Sequence, residues 1–473
     1  MGTISSAFNI IAQALDADQQ ALNVVANNVA NANTPGYTQE TPDWQENTPL
    51  NVNGSQIGQG VSETGATSQR DRVLESRLDQ QQQMAASTGS RLTSLNTLQA
   101  LFTPDSGTTS SQAGDIGTDI TKFFDSFSSL EANSTDNSLR QAVLSSAKTL
   151  AGDISNAAGS LNEQRSALDQ ETTGVAGQVN SLTSAIAQLN VQIQTTSPNG
   201  DAGTLEDQRQ YDLSQLSQLI GINQITSENN GLAITTTSGQ LLVSEGTSYT
   251  LSTGMQNGVT DFYLGNTDIT SQLATGGGSL GGQLTARDQD IPGALNALNQ
   301  LAYSISTAVN TQNNAGTDLD GNTGTAATPL NIFNPSATVA GSAVNMSVVM
   351  TDPNQIAAAG LGDGTGDNSN AVAMAALGSQ EIVSGQTPIN YYSNFVTTLG
   401  STVANVQTEN TAQAASVTQL KTQNDALSGV NLNDEAASMT TYERTYQSAS
   451  QVFAMLNNIM NSVLNLGEQT TVS

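Results

Sequence analysis

Two carboxylate pairs, Asp115/Asp119 and Asp363/Asp367, are close enough in sequence to suggest glycoside hydrolysis. In that chemistry one acid protonates the leaving group and the other acts as base or nucleophile. Their loop settings argue against it. So does an aromatic content of 4%, which leaves few platforms for stacking a sugar. Among 41 acidic residues, chance pairs are expected. Gly276-Gly277-Gly278-Ser279-Leu280-Gly281 matches GxGxxG. A dinucleotide site needs a strand before that motif and a helix directly after it, within a βαβ unit. The flanks here suit a flexible linker, and Gly276–Gly278 reads as a hinge. Asp318-Leu319-Asp320-Gly321-Asn322 has the composition of a calcium loop. With Gly321 in the glycine position, the first and twelfth ligand positions fall on Gly316 and Ala327, and neither supplies a side-chain oxygen. A plain turn is the better reading. Arg70, Asp71 and Arg72 read as ion pairs at a helix start.

The chain has no Cys and no His. That removes thiol nucleophiles, disulfides, Cys/His zinc sites and imidazole acid–base catalysis. No catalytic, cofactor-binding or metal-ligating residue is assigned, and the chain reads as a non-enzyme. Net charge is −29, from 41 acids against 12 bases, with no Lys/Arg cluster to track phosphates. Nucleic acid and anionic membrane surfaces are therefore excluded as partners. No run approaches the ~20 apolar residues of a bilayer span. Met1–Ser6 lack a basic, then apolar, leader pattern, so export calls for a route without a cleaved signal.

The elements that must carry any function are mostly helical. Helices are expected at about 71–101, 116–130, 150–193, 205–219, 292–311, 391–427 and 432–466. Residues 37–70 read as extended. Residues 222–273 read as short strands between tight turns, including Asn-Gly at 257–258 and Asn-Asn-Gly at 229–231. A Ser/Gly/Thr break is expected at 103–114 and a helix stop at 197–200. Strand is expected at 343–350. Gly152, Gly159, Gly174 and Gly177 weaken the long central helix by ~1 kcal/mol each. The class is mainly α with β-rich insertions, the first and last segments pairing antiparallel.

Both ends carry heptads. At the start Ile4, Phe8, Ile11, Leu15, Leu22, Val25 and Val29 follow steps of three and four, with Asp18 interrupting one seam position; Thr34-Pro35-Gly36 stops the helix. At the end the seam is Leu432, Met439, Tyr442, Tyr446, Ala449, Phe453, Leu456, Met460 and Val463. An ordinary amphipathic helix would show the same pattern. Each end also carries an asparagine row at i, i+4, i+8: Asn23, Asn27 and Asn31, then Asn457, Asn461 and Asn465. Asn is a poor helix former. Such rows suit amides that bond neighbouring subunits, or else a solvated face. The expectation is that both ends are loosely held in the monomer and order on assembly.

These residues also carry a resemblance. Ala26–Tyr37 (ANNVANANTPGY) is similar to the N-terminal motif of flagellar rod, hook and hook-associated proteins. Gly277–Gly321, Leu205–Ile222 and Gly429–Leu466 resemble the middle and C-terminus of the hook-associated protein 1 (FlgK) family. The resemblance implies an elongated, multidomain axial subunit at the hook–filament junction, exported by the flagellar type III route. It implies an inner-tube domain from 1–36 and 430–473, and a helical domain with extended linker from 37–200, 286–325 and 389–429. It further implies a β-rich outer domain at 201–285 and a mixed outer segment at 326–388. Partners implied are other copies of the chain, hook protein, hook-associated protein 3, and an export chaperone at the C-terminal helix. The other readings are hook-associated protein 3 or another axial protein and, in a different class, a secreted adhesin or carbohydrate-active protein using residues 201–388.

Overall fold

A computed structural model of the chain describes residues 2–52, 55–102, 115–197, 201–226, 230–256 and 258–468. In chain order the elements begin with α1 (Gly2–Asn31), β1 (Glu40–Glu46), β2 (Leu50–Val52), β3 (Ser55–Ile57), β4 (Val61–Ser68), α2 (Arg72–Ala100), α3 (Ile116–Ala132), α4 (Asn137–Thr196) and α5 (Thr204–Leu219). Next come β5 (Ile222–Thr226), β6 (Leu232–Thr236), β7 (Leu241–Ser244), β8 (Thr247–Ser248), β9 (Leu251–Gln256), β10 (Val259–Leu264), β11 (Thr267–Asp268), α6 (Thr270–Gly276) and α7 (Gly278–Thr285). A π-helical turn at Ala286–Asp290 leads into α8 (Ile291–Asn314), followed by α9 (Ser369–Ala376), α10 (Pro388–Ser428) and α11 (Leu432–Glu468). This is the mainly helical, β-interrupted class expected from the sequence. The break at 103–114, the stop at 198–200 and the turn positions Asn229 and Asn257 lie outside the described residues.

The chain divides into two compact units. The first holds residues 1–83, 178–251 and 413–473. Its α1 and α11 lie antiparallel: Asn28 bonds Glu435 near one end, and Phe8 meets Phe453 towards the other. Between α1 and α2 the chain folds into an antiparallel ribbon, β1 against β4, with β2 and β3 continuing it. The ribbon starts where Gly36 takes a positive φ of 80°, a conformation open to glycine at no steric cost. Asp71 caps α2, accepting from the backbone N–H groups of Val73 and Leu74 at 3.0 Å each. The sheet β5–β6–β7–β8 is held to the last turns of α4 by amides. Asn190 donates to the carbonyls of Leu232 (2.9 Å) and Glu245 (2.8 Å).

The second unit holds residues 84–177 and 252–412. Its core is built by α2, α3, α4, α8 and α10, with Leu95, Phe123, Phe127, Leu144, Ile154, Leu298 and Ile305 fully buried. The central helix runs for 60 residues, starting earlier than the apolar period alone marks. Asp136 accounts for the start, because its carboxylate accepts from the Ser138 N–H at 2.7 Å. The four glycines have open space where a Cβ would sit and do not interrupt the helix.

Two expectations fail in this unit. The glycine run is not a hinge: α6 and α7 are helices on either side of Gly277, which takes φ 102°. A Cβ on Gly282 would lie 2.1 Å from the Ser87 carbonyl oxygen and 2.2 Å from Ser90 Oγ. The missing side chains let α7 pack directly on the backbone of α2, and Ser90 Oγ donates to the Ser279 carbonyl at 2.8 Å. Residues 343–350 form turns with one isolated bridge, Phe333 to Val348. Side chains occupy the groups a ladder would use: Asn299 Oδ1 accepts from Ala343 N–H, and Asn310 Oδ1 accepts from the N–H groups of Ile332 and Phe333.

Candidate assembly interface

The terminal helices meet around one polar node. Asn28 is 1% exposed and its amide is fully used. Nδ2 donates to the Glu40 carbonyl (2.8 Å) and to Glu435 Oε1 (3.0 Å). Oδ1 accepts from Glu40 N–H (3.0 Å) and from the Tyr37 hydroxyl (2.8 Å). Glu435, 3% exposed, also accepts from Gln39 Nε2 at 2.7 Å. One amide thus joins the end of α1, the start of β1 and the start of α11. Burial, reinforced by Glu40, Asp207 and Glu435, pushes the Tyr37 phenol well above its usual range, so it stays a neutral donor. Along the pair, Thr445 Oγ1 donates to Asp18 at 3.0 Å. Phe8 meets Phe453 edge-on at 4.8 Å, and Trp44 of β1 meets Tyr442 at 5.9 Å.

The expected seam residues distribute unevenly. On α1, Val25 is buried, while Ile4, Phe8, Ile11, Leu15 and Leu22 are half-buried and Val29 is exposed. The fully buried line is Ala17, Ala21, Val25 and Asn28, of which only Val25 belongs to the expected seam. On α11, Met439, Tyr442, Phe453 and Leu456 are half-buried, while Tyr446, Met460 and Val463 are exposed. Asn27 and Asn31 bond each other at 2.9 Å. Asn23, Asn457, Asn461 and Asn465 are exposed. Sequence reasoning missed Asn28 and Glu435. The Asn23/Asn27/Asn31 row drew attention from Asn28, although Ala21, Val25 and Asn28 keep steps of four and three.

A second polar cluster fixes the base of the ribbon in the same unit. Arg70 pairs with Glu206 (2.5 Å), Asp207 and Glu75 (3.5 Å), and Arg72 with Glu206 (2.9 Å). Asp207 also accepts from Thr38 N–H at 3.0 Å. The expected ion pairs at the start of α2 thus reach across to α5. Burial pushes Glu75 up to about 7 and Asp79 up to about 6, the latter against hydrogen bonds from Gln210 and Gln224. In the other unit, the carboxylates considered for hydrolysis serve loops and caps. Asp115 caps α3 by accepting from Gly117 N–H (3.1 Å), and Asp367 accepts from Gly360 N–H (2.8 Å). Asp119 is raised to about 6 by burial and by neighbouring Asp153. Asp318 closes its turn by accepting from the N–H groups of Asp320 and Asn322. No helix among the described residues is long and apolar enough to cross a membrane.

Known proteins place this geometry. A family profile described as flagella basal body rod protein matches residues 8–38, which hold most of α1 with Asn28 and Tyr37 of the node. Another, the flagellar hook-associated protein FlgK helical domain, matches residues 105–327. Flagellar hook-associated protein 1 of Escherichia coli K12 is 26% identical over 555 aligned residues, covering 98% of this chain and all of the relative. Along nearly its whole length the chain is similar to flagellar hook-associated protein 1. The Bacillus subtilis hook-associated protein 1 is 25% identical and is covered over 96% of both chains. The structure of the flagellar hook junction protein FlgK from Burkholderia pseudomallei shares the fold, with a TM-score of 0.63 at 19% identity. It aligns with 74% of this chain and 99% of its own. The family is a structural one of the flagellum, so the resemblance carried by the terminal and central motifs holds across the chain.

Proposed function

We propose that the chain is the hook–filament junction subunit of a bacterial flagellum and polymerises through its terminal helices. The observation that carries this reading is the exposed apolar side of α11. Val452, Met455 and Ile459 are 39%, 58% and 49% exposed, at steps of three and four, beside the line that carries Phe453 and Leu456. The apolar stripe of α11 is wider than the contact that α1 makes through Phe8, and a second copy fits the rest. In this reading residues 1–36 and 430–473 form the tube. The exposed seam residues Val29, Tyr446, Met460 and Val463 and the exposed asparagines Asn23, Asn457, Asn461 and Asn465 meet neighbouring copies, while the β-rich parts at 201–285 and the segment at 326–388 face outward. Hook protein and hook-associated protein 3 are the axial neighbours. The subunit is exported to the extracellular flagellum with a chaperone on the C-terminal helix.

A deletion strain should release flagellin into the medium and build no filament; normal filaments would refute the assignment. Complementation with Met455→Asp/Ile459→Asp should fail in the same way while the purified variant keeps its helical circular dichroism, because only the outward face changes.

A further inference from the structure

The apolar lanes of the α1–α11 pair repeat every seven residues and therefore do not choose a register. On α11 one lane reads Leu432, Met439, Tyr446, Phe453 and Met460. The next reads Tyr442, Ala449, Leu456 and Val463, and its first member is Glu435. A slip of seven residues moves Phe8 from Phe453 to Tyr446 or Met460, exchanging one large apolar contact for another. The buried residues of α1 above Asn28 are Ala17, Ala21 and Val25, which are small enough to accept several neighbours. Of the ring contacts only Trp44–Tyr442 changes in kind, leaving Trp44 of the ribbon beside Glu435 or Ala449, and Trp44 is 42% exposed.

We infer that the buried Asn28–Glu435 pair sets the register of the terminal helices. The slip towards Tyr446 brings Glu435 level with Ala21, a site with no amide to receive a buried carboxylate. The slip towards Met460 brings Asn28 level with Tyr442 and takes the carboxylate beyond the end of α1. Either way the Asn28 amide loses Glu435, and Gln39 Nε2, which donates to that carboxylate at 2.7 Å, loses it too. Coiled coils use a single buried polar position in the same manner, excluding wrong pairings at some cost in stability. Here the polar pair sits at one end of the contact. It also bonds both backbone groups of Glu40, so the register it selects is tied to the ribbon that follows α1. Asn28 and Glu435 are positioning residues, and the inference stands whether or not the pair assembles into a tube.

The absence of cysteine makes the test direct. In the full chain, Asp18→Cys is combined with Thr445→Cys, which reports the observed register through the Thr445–Asp18 contact. Combined instead with Ser438→Cys or Val452→Cys it reports a slip of seven residues in either direction. Under mild oxidation the otherwise native chain should cross-link through 445 at least about tenfold more than through 438 or 452. In an Asn28→Leu/Glu435→Leu background that preference should fall at least about threefold. Glu435→Gln, whose amide oxygen can still accept from Asn28, should keep it. An unchanged preference in the double-leucine background overturns the inference. So does equal cross-linking at all three positions in the native chain. Loss of all cross-linking in the double-leucine chain also overturns it, because the node would then govern affinity and not register.

Discussion

At the scale of single residues, side-chain amides take a role that charges take in most proteins. Charged residues make up only 11% of the chain. Buried Asn28, Gln83, Asn190, Asn310 and Asn313 each bond backbone groups of another element, and each does so with both donor and acceptor or with two donors. A buried amide with its bonds made costs little, and without them it costs the full desolvation of the group. The buried carboxylates near the ribbon are a different case. Asp79 rises from 3.8 to about 6 in the folded chain, chiefly by burial, and Glu75 rises from 4.5 to about 7. The folded state therefore binds protons more tightly than the unfolded chain. Their contribution to stability is fully present below about pH 4 and is lost as the pH rises through 6 to 7. Asp79→Asn keeps an oxygen for Gln210 and Gln224 and removes the buried charge. It should raise unfolding free energy at pH 8 by about 1–3 kcal/mol. It should also flatten the pH dependence between 5 and 7. Urea titrations at pH 5 and 8 measure both, and a variant less stable at pH 8 contradicts the account.

At the scale of elements, α11 is the weakest-held helix by its surroundings. Beyond Phe453 it carries exposed Met455, Ile459, Met460, Val463 and Leu464, and among its described side chains only Glu435 is fully buried. Helices gain most of their stability from packing one face. Amides from about residue 457 onward should therefore exchange with deuterium at least ~100-fold faster in the dilute monomer than those of α3, whose Ile116, Ile120, Phe123 and Leu130 are fully buried. Equal protection of the two helices would rule out assembly-dependent order at the C-terminus. How much of this was legible depends on what the period encodes. Heptad spacing located both terminal helices, because the period of an amphipathic helix is a property of its own sequence. Which positions are buried was less visible. The residues Leu15, Leu22, Val25 and Val29 suggest a seam, yet only Val25 of these is fully buried, in line with the smaller Ala17 and Ala21. A blindness to close approach misread the glycines of α7 as a hinge, since a need for missing side chains is set by the partner helix. Asn28 and Glu435 lie 407 residues apart, and nothing local to either announces the other.

At the scale of the whole molecule, charge is distributed against the two ends. Of the net −29, α1 contributes Asp16 and Asp18, and α11 contributes Asp434, Glu435, Glu443, Arg444 and Glu468. From Thr445 to Gly467 the chain has no ionisable side chain other than Tyr446. Self-association through these ends is therefore an apolar and amide contact made by bodies that otherwise repel each other. Repulsion between exposed acids on neighbouring copies is screened within ~10 Å at 0.1 M salt and ~30 Å at 0.01 M. The apolar contact does not weaken as salt is added. Association of the purified chain should strengthen with ionic strength, by at least about tenfold in apparent affinity between 10 and 300 mM sodium chloride, and sedimentation of oligomers would measure it. Deleting α11 from Gln447 onward should abolish the association at both salts, because repulsion alone offers no contact. Association that instead weakened with salt would mean the copies meet through opposite charges, and the outer face of α11 would not be the surface that joins them.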